Sequence, residues 1–175
     1  MKRIPLILAF LFVSFVSVSA QNVEGKEIIN REIEWSDFLG EADPSSEFDA
    51  VTNWVITYAY PQPTFKNETA RVKVQVSLFL RSDSWVRANK QTQRLLNHER
   101  GHFKIGKICA KEIQETINSM IFDRYDYAKQ INVVYRKIIE KYKEFEKQYD
   151  NETDHYKNRP QQELWDKKLN DLLEL

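Results

Sequence analysis

At 175 residues with 42% hydrophobic side chains, the chain is long enough for one compact core, and its mean hydropathy of −0.60 is too low for a membrane-embedded fold. Its 26 basic and 26 acidic residues are interspersed and cancel, which excludes the one-sided basic footprint of a nucleic-acid binder. No internal repeat or low-complexity linker divides it.

Met1-Lys2-Arg3 is a short basic region, and residues 4–18 are almost wholly apolar, ending in Val18-Ser19-Ala20. Small side chains at Val18 and Ala20 suit signal peptidase, so residues 1–20 are predicted to be a signal peptide cleaved before Gln21. The apolar run is shorter than the roughly 20 residues that span a bilayer, so no stable membrane insertion is expected after cleavage. Residues 21–175 then form a single domain, periplasmic or secreted, with 24 basic against 26 acidic side chains. The sole cysteine, Cys109, permits no internal disulfide and reads as a buried, inert thiol beside Ile105, Ile108 and Ile113.

Residues 27–38 carry Ile29, Arg31, Ile33 and Trp35 near a two-residue period and predict a strand. A loop around Pro44-Ser45-Ser46 follows, then strands over 50–60 and 70–81. Turn residues at Pro61-Gln62-Pro63 and Lys66-Asn67-Glu68 join the last two as an antiparallel hairpin. Val72, Val74, Val76, Leu78 and Leu80 alternate with polar residues, the pattern of a sheet with one solvated face.

After Ser82-Asp83-Ser84, which can cap a helix, the period becomes helical until about Met120, with Ile105, Ile108, Cys109, Ile113 and Ile117 on one face. Asp123 can cap a second helix, whose apolar face runs from Tyr127 through Ile138 to Tyr149. Residues 149–159 read as irregular, and Pro160 suits the first turn of a C-terminal helix bearing Leu164, Trp165 and Leu169.

The first helix carries His98-Glu99-Arg100-Gly101-His102. Imidazoles four residues apart share a helix face and can reach one ion, while a carboxylate beside the open coordination position can serve as general base. His98 and His102 are therefore candidate zinc ligands and Glu99 the candidate base. Gly101 and Gly106 interrupt this helix although each costs roughly 1 kcal/mol relative to alanine, so a neighbouring segment approaches closely there or the core demands it.

A hairpin turning near Phe122 pairs His98 with Glu146 and His102 with Tyr142, which ends the second helix beside the metal pair. His155, the one remaining histidine, is then the candidate third ligand, with Asp150, Asp154 or Glu112 as substitute oxygen donors. Tyr149 and Tyr156 bracket the covering segment and are candidate oxyanion donors, although Tyr149 also continues the apolar face of its helix.

Ser84-Trp85, Leu95-Leu96-Asn97-His98-Glu99-Arg100-Gly101-His102-Phe103, Tyr149-Asp150-Asn151-Glu152-Thr153-Asp154-His155, Gln162 and Trp165 occur in this order. The chain resembles, over most of its mature length, a bacterial family of exported zinc peptidase-like proteins, domain-of-unknown-function family 922. That resemblance implies metal ligation by His98 and His102, a catalytic Glu99 and a functional His155. Arg100 and Lys104 depart from the glutamine and acidic residue of the pattern, and Tyr156 replaces a residue that is usually glycine, which narrows the site.

The combined reading is an α+β fold, a small antiparallel sheet packed on a long helical hairpin with a zincin-like His-Glu-x-x-His helix and a C-terminal helix. The function it implies is a zinc-dependent (Zn2+) metallopeptidase acting on a peptide or protein substrate. The exposed edge of the 72–80 strand is expected to align that substrate. The alternative is a zinc-containing binding or structural module without turnover.

Overall fold

The alternating run that ends at Leu80 lies at the centre of the main sheet. In the computed structural model, which describes residues 24–174, the elements follow in order: β1 (Gly25–Glu27), β2 (Ala50–Val51), β3 (Trp54–Ala59), β4 (Thr64–Lys66), β5 (Thr69–Arg71), β6 (Gln75–Arg81), β7 (Trp85–Val86), α1 (Gln93–Ser119), β8 (Phe122–Asp123), α2 (Tyr127–Thr153) and α3 (Arg159–Glu174). The expected signal peptide, residues 1–20, lies outside the described residues. Among the described residues no helix is long and apolar enough to cross a membrane.

The architecture is α+β, with small antiparallel sheets against three helices. The expected hairpin pairs β3 with β6 from Trp54↔Leu80 to Ala59↔Gln75, and β1 joins the other edge of β6 at residues 79–81. Instead of one sheet, the described residues form three: β1-β6-β3, the pair β2-β7, and β4-β5-β8. Beyond β1, the free edge of the Val74 to Val76 stretch is closed by α1, where Asn118 Oδ1 accepts from the Val74 amide at 2.7 Å and Gln114 Oε1 from the Val76 amide at 3.1 Å. Both edges of β6 are thus occupied, and this strand is not the peptide-aligning edge.

Residues 27–38 do not form the expected strand. Past Glu27 the backbone turns at Asn30, φ 59°, and Trp35–Asp37 is a single 3-10 turn. Ile28, Ile33 and Phe38 still bury, against Leu80 and Phe103, but they do so from a loop. Asp37 holds that loop by ion pairs to Arg31 and Lys26. The side chains that suggested alternation are buried by tertiary contact rather than by a pleat.

The α1 helix starts nine residues past Ser84, the end of the proposed Ser82-Asp83-Ser84 cap. Arg81 and Asp83 close a tight turn by an ion pair, buried Ser84 bonds the Asn53 backbone, and Trp85 enters β7. The N-cap is Thr92, whose Oγ1 accepts from the Leu95 amide at 3.2 Å. Likewise Asp123 accepts from the Tyr125 and Asp126 amides in a turn, and α2 begins at Tyr127.

The apolar faces of α1 and α2 meet around Ile105, Cys109, Ile113, Ile117, Ile131 and Tyr142, and α3 closes the core with Trp165 and Leu169. Truncating a fully buried isoleucine here to alanine costs about 2–5 kcal/mol. Cys109 is fully buried, and burial pushes its thiol up to about 12, matching the inert thiol read from the sequence. Gly106 sits at a close approach: a Cβ there would lie 3.1 Å from Leu78 Cδ1 and from Trp54 Cδ2, so those side chains would have to give by a few tenths of an ångström where the sheet presses on α1.

Candidate metal centre

His98 and His102 lie one turn apart on α1, with ring centroids 5.0 Å apart. Opposite them α2 presents Glu146 and Asp150, also four residues apart. The hairpin register differs from the sequence expectation. Residues 120–126 form the connection, part of which is spent pairing β8 with β5, so His102 faces Glu146 instead of Tyr142. The α2 helix continues to Thr153, which brings Asp150 rather than an irregular segment to the histidine pair.

The contacts have a consistent polarity. His98 Nδ1 lies 3.0 Å from Gln162 Oε1, and His102 Nδ1 lies 3.2 Å from Glu146 Oε1. Those oxygens only accept, so each Nδ1 carries a hydrogen. The opposite nitrogens, His98 Nε2 and His102 Nε2, both face Asp150 Oδ1, at 3.2 and 3.0 Å. Two imidazole lone pairs and a carboxylate oxygen therefore converge on one region, an arrangement that needs a positive charge, either protons or a metal cation.

A proton on His102 can meet that need. Burial pulls the His102 imidazole down, but bonds to Asp150 and Glu146 outweigh it and hold His102 well above its ordinary value. Burial likewise raises the Asp150 carboxyl, and the two imidazoles reverse this to hold it well below the usual carboxylate range. A metal held by these residues would compete with protons for the same nitrogens, which would link its affinity to pH.

His155 completes the cluster from the turn after α2, with Nδ1 at 3.5 Å from Asp150 Oδ1 and its ring 5.0 Å from Phe48. One ligand atom from each of His98, Asp150 and His155 lies within 4.8 Å of the others. This group can hold a metal ion, and imidazole nitrogen with carboxylate oxygen is a donor set that fits a first-row divalent cation. Of the substitute donors, Asp150 is at the centre, Glu112 is bonded to Lys141 and Tyr142 farther along the hairpin, and Asp154 is exposed at the α2 terminus.

Beside the cluster a cavity of about 390 Å3 is lined by α1 (Leu95, His98, Glu99, His102), α2 and the segment of residues 47–52. Glu99 is buried at 3% exposure, and its Oε2 accepts from Thr52 Oγ1 at 2.6 Å. That bond fixes the carboxyl at the cavity wall next to both histidines.

The two tyrosines are placed differently. Tyr149 is fully buried behind the site, stacked on His98 at 4.7 Å, with its hydroxyl donating to the His98 carbonyl and accepting from Gln162 Nε2. It faces the core, not the cavity, and this corrects its assignment as an oxyanion donor. It also explains Gly101, where a Cβ would lie 2.1 Å from the Tyr149 hydroxyl. Tyr156 does line the cavity and donates to Asp49 Oδ2 at 2.7 Å, tying the α2–α3 turn to the opposite wall. Its φ of 76° lies in the left-handed region that favours glycine.

Sequence reasoning gave no site role to Thr52, to Glu146, which the hairpin register set beside His98, or to Gln162, which entered only among the residues of the family resemblance. The four-residue spacing of Glu146 and Asp150, the same as that of the histidines, was a readable signal. Thr52 and Gln162 are chemically unspecific and become functional only through packing.

No curated protein and no solved structure matches the chain. A family model described as bacterial protein of unknown function does match, over residues 18–156, a span that includes every residue of the cluster from His98 to His155. The chain belongs to that family, domain-of-unknown-function family 922.

Proposed function

We propose that the protein is an exported zinc-dependent metallopeptidase. The observation that carries this reading is the convergence of His98 Nε2, His102 Nε2 and Asp150 Oδ1 beside a cavity whose wall holds the Glu99 carboxyl. Zinc bound there would polarise a scissile carbonyl and acidify water. Glu99, oriented by Thr52, takes the proton from the attacking water and delivers it to the leaving amine. Tyr156 is the remaining candidate for the oxyanion donor, after release from Asp49.

Substrate alignment is assigned to β2 rather than β6. Asp49 O accepts from Arg87 N, Val51 pairs with Trp85, and both backbone groups of Asn53 are bonded to residues 81–84. By antiparallel alternation, the backbone groups of Ala50 and Thr52 point to the opposite edge, and both residues line the cavity. An extended peptide can hydrogen-bond along that edge. Export rests on residues 1–20, which supply the signal-peptide pattern.

The test is turnover of a broad peptide library by the purified mature protein. Cleavage is expected to stop with a chelator and return with zinc. Glu99→Gln should lower kcat by about 10²–10⁴-fold while zinc is retained. Zinc-loaded protein that cleaves nothing, or an undiminished Glu99→Gln variant, contradicts the reading and leaves a zinc-containing binding module.

A further inference from the structure

The matched family region ends at Tyr156, yet the shortest hydrogen bond to the His98 ring comes from beyond it, on α3. Gln162 is 6% exposed and its amide is fully engaged. Its Nε2 lies 2.7 Å from the Tyr149 hydroxyl and 2.8 Å from Asp166 Oδ1, and its Oε1 lies 3.0 Å from His98 Nδ1.

These contacts determine which way the amide points. Asp166 offers only acceptor oxygens. The Tyr149 hydroxyl gives its hydrogen to the His98 carbonyl at 2.9 Å and so can only accept from Gln162. Both neighbours require the NH2 side, since the reverse orientation would set amide oxygen against carboxylate oxygen. The Gln162 oxygen is thereby turned to His98. Thr153 Oγ1, 3.5 Å from the same nitrogen, donates to Tyr149 O at 2.7 Å, so it too faces His98 only as an acceptor. Every group around His98 Nδ1 asks for a hydrogen there.

We propose that Gln162 is a positioning residue that locks the hydrogen of His98 on Nδ1 and turns the Nε2 lone pair toward Asp150, making α3 a working part of the metal centre. This rests on the metal-centre reading given above. A ligating histidine whose outer nitrogen is held in this way keeps both its ring orientation and its basicity. The Gln162–Asp166 pair on α3 therefore sets the state of a ligand on α1 without touching the ion. The inference also gives α3 a role besides covering the core with Trp165 and Leu169.

The experiment uses the full mature chain labelled with 15N-histidine, reading the protonation of each His98 ring nitrogen by long-range 15N–1H correlation, together with zinc affinity by competition with a chelator. In wild type the His98 Nδ1 hydrogen should persist with and without zinc. Gln162→Leu, of similar size, should lose that fixed hydrogen and weaken zinc about 10–100-fold. The exchanged pair Gln162→Glu with Asp166→Asn, which restores an acceptor toward His98, should return affinity to within about threefold, an outcome that a purely structural helix would not give. Should Gln162→Leu fail to fold, Gln162→Met, an unbranched side chain of similar length with no amide oxygen, should give a mixed Nδ1 and Nε2 signal. Wild-type zinc affinity and an unaltered Nδ1 hydrogen in the Leu variant, or in Gln162→Met if that one is used, would overturn the inference. Wild type that binds no zinc would instead overturn the metal-centre reading, and the nitrogen signals of the zinc-free protein would still decide the role of Gln162.

Discussion

The two walls of the cavity are built differently. The inner wall consists of α1 and α2, where His98 and Glu99 are 2% and 3% exposed and each ring nitrogen has an oriented partner. The outer wall consists of residues 47–52 and the turn after α2, where Asp154, His155 and Tyr156 take φ values of 46°, 47° and 76° and the His155 side chain is 39% exposed. The inner wall is preorganised by packing, whereas the outer wall is held by a few polar contacts such as Tyr156 to Asp49 and Arg94 to the Tyr156 carbonyl. Under the proposed function, this contrast would put affinity and chemistry on the helices, and access and substrate contact on the turn and β2.

The contrast is broken most directly at the ligands. Asp150→Ala is expected to lower zinc affinity by more than about a hundredfold, and His155→Ala by about tenfold, since the half-buried Asp150 carboxylate contacts both helical imidazoles and His155 approaches from outside. Chelator competition measures both. Equal losses would put the turn on the same footing as the helices.

Packing of the inner wall is tested next by Gly101→Ala, whose Cβ would overlap the Tyr149 hydroxyl. The expected loss is about 1–3 kcal/mol, seen as a fall in Tm and accompanied by weaker zinc binding, because the displaced ring supports His98. A variant with unchanged Tm would mean that Tyr149 moves without resistance.

The loop against the back of the motif helix supplies a pH-dependent control. Arg100 bonds the Ile33 carbonyl and Glu34 of this loop, whose anchor is Asp37. The Arg31 guanidinium holds the Asp37 carboxyl well below its usual range against the opposing effect of burial. A depressed carboxyl contributes stability above its unfolded value near pH 4 and loses that contribution as pH falls toward the folded value. Asp37→Asn should therefore cost about 1–3 kcal/mol at pH 7 and progressively less below about pH 4, read from urea unfolding across pH. A pH-independent difference would contradict the ion-pair account.

Smallest is Tyr156→Gly on the outer wall. Relief of the left-handed strain offsets the lost Asp49 bond, so stability should change by less than about 1 kcal/mol. The cavity widens, and binding of a bulky peptide-like inhibitor should tighten or hold. A large loss of stability would show the outer wall to be as firmly built as the inner one.

The helical face and the side-by-side placing of His98 and His102 were legible because a four-residue repeat survives any tertiary arrangement. So was the β3–β6 pairing, since the alternation of Val76, Leu78 and Leu80 suits only a pleat. What could not be read depended on partners distant in sequence. Ser82-Asp83-Ser84 has cap chemistry but forms a tight turn before β7. Ile28 and Ile33 are apolar because of Phe103, not because of a strand. The place of Asp150 depended on a connection whose length β8 sets by pairing with β5, and Tyr149 looked like a donor until Gly101 let it pack behind His98.

The central claim is that the converging lone pairs hold a metal. It is tested most directly by a crystal structure of the zinc-loaded protein with anomalous data collected at the zinc edge. The account predicts one strong peak about 2 Å from His98 Nε2 and His102 Nε2, and in contact with Asp150 or His155. A zinc-loaded crystal with no peak between α1 and α2, or with its zinc bound away from His98, would contradict it.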